Sequence, residues 1–218
     1  MKKVLSFCIC FVLNAIAYSQ ELSDSVSTKY VSEHLKFMGI PMEGPLDDFS
    51  DKIIAKGFQF EMVNDNNLTI LQGIFAGHQA SVLLQPNRNN DIYRVQVIFG
   101  DGKNYFTSWE KISSLYYELK DLLISKYGQP EECTEKFVGK EPKRDYHKML
   151  AVAQEKCDYY CIFELYGSAS FIGESVSIKG LNMPIGNISL SIAEQVIRLS
   201  YIDLQQEMNQ EEQNLEDI

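Results

Sequence analysis

The residues in this chain that could do chemistry are scattered along it. His34, His78 and His147 lie far apart, none in a His-x-x-x-His frame, so a metal site would need the fold to gather them with carboxylates. His78 sits in a predicted turn, where a surface histidine is the default. Nucleophile signatures are missing too. There is no Gly-x-Ser-x-Gly elbow, and Gly167-Ser168-Ala169-Ser170 falls between strands instead of opening a helix. Gly100-Asp101-Gly102 lacks the Gly-Lys-Ser/Thr ending of a phosphate loop, and Asp65-Asn66-Asn67 lacks the spaced acids and closing Glu of a calcium loop. Asp47 and Asp48 fall in the first turn of a predicted helix, where exposed amides favour negative charge. No catalytic, cofactor-binding or metal-ligating residue is assigned, and no cofactor is expected.

Two of the five cysteines, Cys8 and Cys10, lie in an N-terminal apolar run. Cys133, Cys157 and Cys161 remain, and they can pair in three ways with one thiol left over. Cys133 and Cys161 fall in neighbouring predicted strands and are the preferred disulfide. The alternative is that all three are buried apolar thiols. Cys161 alternates with Tyr159, Phe163 and Leu165 on a predicted core face, where a thiol is inert packing. Tyr160, Glu164 and Tyr166 then point the other way and form a candidate interface patch. Aromatics on an open sheet face suit an interface, and they equally serve cross-strand pairing, their commoner use.

The elements that must position these residues read as one pattern used twice. The segment 51–57, Asp-Lys-Ile-Ile-Ala-Lys-Gly, returns seventy residues later at 121–126 as Asp-Leu-Leu-Ile-Ser-Lys, with Tyr127 and Gly128 behind it. Each copy ends an amphipathic helix. Leu46, Phe49, Ile53 and Ile54 recur at helical spacing after Pro45, and Gly57 stops the first helix. Trp109, Ile112, Leu115, Tyr116, Leu119, Leu122 and Leu123 make the stripe of the second. Thr107 and Glu110 read as its capping box, and Gly128 and Pro130 stop it. Short alternating segments follow each helix: 58–63, 68–76, 79–85 and 91–99, then 132–138, 159–166, 186–192 and 195–202. The tight Asn/Gly/Pro joins predict antiparallel meanders. The expected fold is α+β, two tandem units of a helix followed by a meander of about four strands. The first unit spans 37–104 and the second 105–204. The second carries insertions at 139–156, predicted helical from Asp145, and at 171–179, read as an extra strand or hairpin.

The ends set the address. Lys2 and Lys3, an apolar run to Ala17, and small residues at Ala17 and Ser19 describe a signal peptide over 1–19. Residues 20–36 read as a polar leader and 205–218 as a solvated acidic tail. No later segment is apolar enough to cross a bilayer. The net charge of −10 becomes more acidic once the two signal lysines are gone, which disfavours nucleic acid and anionic membrane surfaces. A periplasmic or secreted protein is expected.

Several short motifs carry a resemblance: Phe37-x-Gly39-Ile40-Pro41-x-x-Gly44, Lys56-Gly57-Phe58, Leu71-x-Gly73-x-Phe75-Ala76-Gly77, Lys126-Tyr127-Gly128-x-Pro130 and Gly186-x-Ile188-x-Leu190-x-Ile192. With these the chain resembles a group of small secreted proteins of Gram-negative gut anaerobes. More distantly, helix plus meander used twice is similar to the fold of β-lactamase inhibitor proteins. That likeness implies a binding surface on the sheet instead of a catalytic cleft, and it carries over no functional residue. The expected role is a non-enzymatic binding or interaction module of the cell envelope, with a protein or glycan as partner. One alternative is a carboxylate-dependent hydrolase of envelope or dietary polymer. Another is an enzyme inhibitor, which predicts a loop projecting from the sheet, with 139–156 the candidate.

Overall fold

A computed structural model describes residues 29–64, 67–100, 105–172 and 177–209. The expected signal peptide at 1–19, the expected leader at 20–28 and the expected tail beyond 209 lie outside the described residues.

Helix α1 (Leu46–Ile54) buries Leu46, Phe49 and Ile53 from one face and keeps Asp47 and Asp48 in its first turn. Gly57, at φ +101°, takes the left-handed turn that a side chain would resist. Strands β4 (Gln59–Val63), β5 (Thr69–Phe75), β6 (His78–Pro86) and β7 (Ile92–Phe99) follow as an antiparallel meander. Helix α2 (Trp109–Tyr127) then precedes β8 (Glu132–Phe137), β9 (Cys157–Ile172), β10 (Ser177–Ala193) and β11 (Val196–Asp203). These pair antiparallel in the order β8, β9, β10, β11. The last strands of the two series pair with each other, β11 on β7. Both meanders therefore belong to one nine-stranded sheet whose outer strands include β4 at one end and β8 at the other.

Register ties the sheet together. Leu71, Val82, Val97, Leu199, Leu190, Cys161 and Cys133 follow one another across seven strands. From Leu71 to Cys161 this row is buried, under the helices. Because side chains alternate along a strand, the next row points the opposite way: Gln72, Ser81, Ile98, Arg198, Ser191, Tyr160, Thr134. Helices α1 and α2, and α3 (Asp145–Ala153), all bury their apolar residues in a single core with the first row. The second row faces away from them. The sheet has one covered face and one open face.

Four features depart from the sequence reading. Residues of the supposed leader are structured: β1 (Lys29–Ser32) pairs with the far end of β9, and Leu35 is buried. The chain then forms the small hairpin β2 (Lys36–Phe37) and β3 (Ile40–Pro41), with Phe37 stacked on Phe75 and edge-on to Tyr201. Second, the acidic tail does not begin at 205, since 204–209 are helical and Gln206 is buried. Third, the N-cap of α2 is Ser108 instead of Thr107. Its Oγ accepts the Lys111 amide, and the Glu110 amide donates to Asp145 at the start of α3, 3.0 Å away. A distant carboxylate does what the local capping box was expected to do. Fourth, the second insertion adds no separate strand: its residues lengthen the β9–β10 hairpin, with β9 running through Ile172 and β10 starting at Ser177. Gly186 sits at a register shift in β10, where a Cβ would run into the backbone carbonyl of Ile202.

Among the described residues, no helix is long and apolar enough to cross a membrane.

Candidate functional site: the open sheet face and its surroundings

Strand β9 runs Tyr160, Ile162, Glu164, Tyr166 along the open face, while Cys161 and Phe163 are buried on the other. Tyr160 and Glu164 are half-buried, and Tyr166 is 53% exposed. The Tyr166 hydroxyl donates to Glu164 Oε2 at 2.9 Å. The Tyr160 hydroxyl donates to Glu132 on the neighbouring strand, and this bond to a carboxylate raises the phenol pKa. Tyr160, Glu164 and Tyr166 thus share one strand, one face and a set of oriented hydroxyl–carboxylate contacts.

Cys133 and Cys161, directly opposed in register, are joined by a disulfide. The Tyr116 hydroxyl lies 3.3 Å from Cys161 Sγ. A disulfide sulfur has no proton to give, so the phenol is the donor. Burial, helped by the carboxylate of Glu135, raises the Tyr116 pKa and keeps that proton in place. Glu135 in turn is 2.6 Å from Lys120 Nζ. Cys133, Glu135 and Cys161 are the one group among the described residues with metal-ligand geometry, their ligand atoms lying within 4.8 Å of one another. With the sulfurs bonded to each other there is no thiolate to offer. Cys157 is free, and burial pushes its thiol up to about 12, far from a nucleophile at neutral pH.

The three histidines occupy three separate places. His147 lies on exposed α3 beside Tyr146. His78 Nε2 is 3.0 Å from Glu118 on α2. His34 is the one with a buried partner: its Nδ1 is 3.2 Å from both oxygens of Asp203, which is fully buried. Asp203 also accepts the amides of Leu35 at 2.7 Å and Gln206 at 3.1 Å. A carboxylate so fully bonded pins the N-terminal segment to the end of β11. Those hydrogen bonds use the carboxylate for anchoring.

The insertion 139–156 does not project from the open face. Met149 and Val152 of α3 are buried, and Lys148 lies over the rings of Trp109 and Phe137 at 5.5 and 5.6 Å. The helix of the candidate loop, α3, packs into the helix layer.

Sequence reasoning missed the other end of the open face. There, Gln59, Gln72, Gln79, Ser81 and Arg198 line a trough of about 850 Å³. Alternation alone places Gln72, Ser81 and Arg198 on polar faces. What could not be read was the β7–β11 pairing that brings Arg198 beside the first meander.

Comparison with family models, with curated proteins and with solved structures returns no match.

Proposed function

We propose that this protein is an exported, non-enzymatic binding module that presents its open sheet face to a protein or glycan of the cell envelope. On this reading the chain is two tandem units, each a helix followed by a meander, fused edge to edge so that two small faces become one broad one. The single observation that carries the proposal is the one-sided layering. Three helices bury their apolar residues in one core against one side of nine strands, while the other side keeps tyrosines, carboxamides and paired charges at the surface. Interfaces favour such surfaces, where rigid aromatic side chains sit among polar groups. The signal sequence at the N-terminus supports export to the periplasm or beyond, and the acidic balance supports a partner that is not nucleic acid.

Affinity capture of the tagged mature protein from envelope extract of the producing cells tests this reading. One partner should be recovered reproducibly and lost from Tyr160→Ala/Tyr166→Ala. A blank with the unaltered protein, or undiminished recovery by the double variant, would reject the tyrosine face.

A further inference from the structure

We infer that the trough at the β4 end of the open face binds a neutral oligosaccharide. The inference rests on the reading of that face as a binding surface and adds a ligand class and a second location. Two observations make this a shaped site instead of a gap between side chains. Strand β4 has a β-bulge between Phe60 and Met62, and Glu61, at the bulge, meets Gln72 of β5 on the trough floor. The polar floor is also preset. Gln72 Nε2 donates to Glu61 Oε2 at 2.6 Å and to Ser81 Oγ at 2.7 Å. Both amide hydrogens are used, so the carbonyl oxygen is what Gln72 has left to offer.

The chemistry of the lining selects the ligand by elimination. An anion would meet the carboxylates of Glu61 and Glu194. A cation would find those two carboxylates already held by Gln72 Nε2 and Arg198 Nη2. An apolar ligand would bury the carboxamides of Gln59 and Gln79 and the carbonyl of Gln72 against a surface with no hydrogen-bonding group, which is costly. What remains is a neutral molecule carrying donors and acceptors side by side, because a carboxamide presents both and a vicinal diol answers both. Arg198 fits the same ligand. Its Nη2 holds Glu194 only at 3.4 Å, and its Nε–H is shut from water with no acceptor. A small reorientation onto a sugar hydroxyl would give that proton a partner. At the rim, Tyr105 is 61% exposed. Its ring offers flat apolar surface of the kind a pyranose covers with its C–H face. The volume falls within the range of sites for ligands of a few rings.

The test is an amide NMR titration of the mature protein with neutral hexasaccharides built from glucose, xylose, mannose or N-acetylglucosamine, and with hexagalacturonate as the anionic counter-probe. At least one neutral sugar should give saturable shifts at Gln72, Ser81 and Arg198, with a dissociation constant on the order of 1 mM. Tyr105→Ala, at an exposed position where folding is not at stake, should weaken it about tenfold or more. Absence of saturable shifts with every neutral sugar, shifts confined to other parts of the protein, or tighter binding of hexagalacturonate would each overturn the assignment. If sugar binding fails while the envelope partner is still captured, the trough alone is misassigned. If both fail, the open face itself is not the binding surface.

Discussion

The two halves of the sheet are finished differently. In the first, α1 covers a meander of strands five to nine residues long, with Phe49, Leu71, Val82, Val97 and Phe99 in its core. In the second, β9 and β10 run for sixteen and seventeen residues, and a cluster of rings joins the aliphatic core under α2. Trp109 packs on Phe137 at 4.9 Å and on Tyr159 at 5.1 Å, and Tyr116 packs on Tyr159 at 5.7 Å. Additions fall on the second half: the disulfide, the helix α3, and the N-terminal strand β1. The first half keeps an outer strand, β4, with Phe60, Met62 and Val63 all exposed. The comparison teaches where rigidity was placed. The tyrosine patch is carried by the stapled half, and the trough by the half with the open edge.

That contrast can be sharpened by removing the staple. The disulfide closes a segment of 28 residues, and the loop-closure entropy it takes from the unfolded chain stabilises by about 3–4 kcal/mol. Reduction should lower unfolding stability by that order, read from the fluorescence of the single tryptophan, Trp109, which reports on the second half. Far-UV circular dichroism follows both halves. Coincident transitions by the two probes would mean that the β7–β11 pairing couples the halves into one cooperative unit. Separate transitions after reduction would show that the halves are independent, and the shared sheet would then be a weak seam.

A smaller effect is expected where the N-terminal segment crosses between the halves. It leaves β9, passes His34 and Asp203, and reaches α1 through the contact of Pro45 with Asp91. The hydrogen bond to Asp203 is the main cause that raises the His34 pKa above its ordinary 6.5, with Glu43 and Asp91 adding to it and burial opposing. A raised value means that folding favours the protonated ring. The stabilisation is therefore complete below about pH 6.5 and is lost as pH rises through the folded value. Urea midpoints taken at about pH 5.5 and about pH 8.5 should show this decline, and His34→Gln should flatten it. An unchanged slope in His34→Gln would assign the pH dependence to other groups.

Much of each half was legible in the sequence because its pairing is local. Alternation of Tyr93, Val95, Val97 and Phe99, or of Ile188, Leu190 and Ile192, sets a face, and short turns set the neighbour. The α+β class and both helices followed from these signals. What stayed hidden depends on partners far along the chain. The Glu110 amide finds Asp145, the Leu35 amide finds Asp203, and β1 finds the end of β9. A short, largely polar segment offers no periodicity to announce such docking, so 29–36 read as leader. The patch Tyr160, Glu164, Tyr166 was visible because one strand carries it. The trough was not, because five strands contribute to it.

On the proposed function, partners meet the open face and not the helices. A photoreactive amino acid placed at Ser191, which lies between Tyr160 and Arg198 in register, tests it against one placed at exposed Ser125 on α2. Irradiation in envelope extract of the producing cells should yield a discrete adduct from position 191 and none from 125. Adducts from position 125 with none from 191 would place the binding surface on the helix layer and contradict the account.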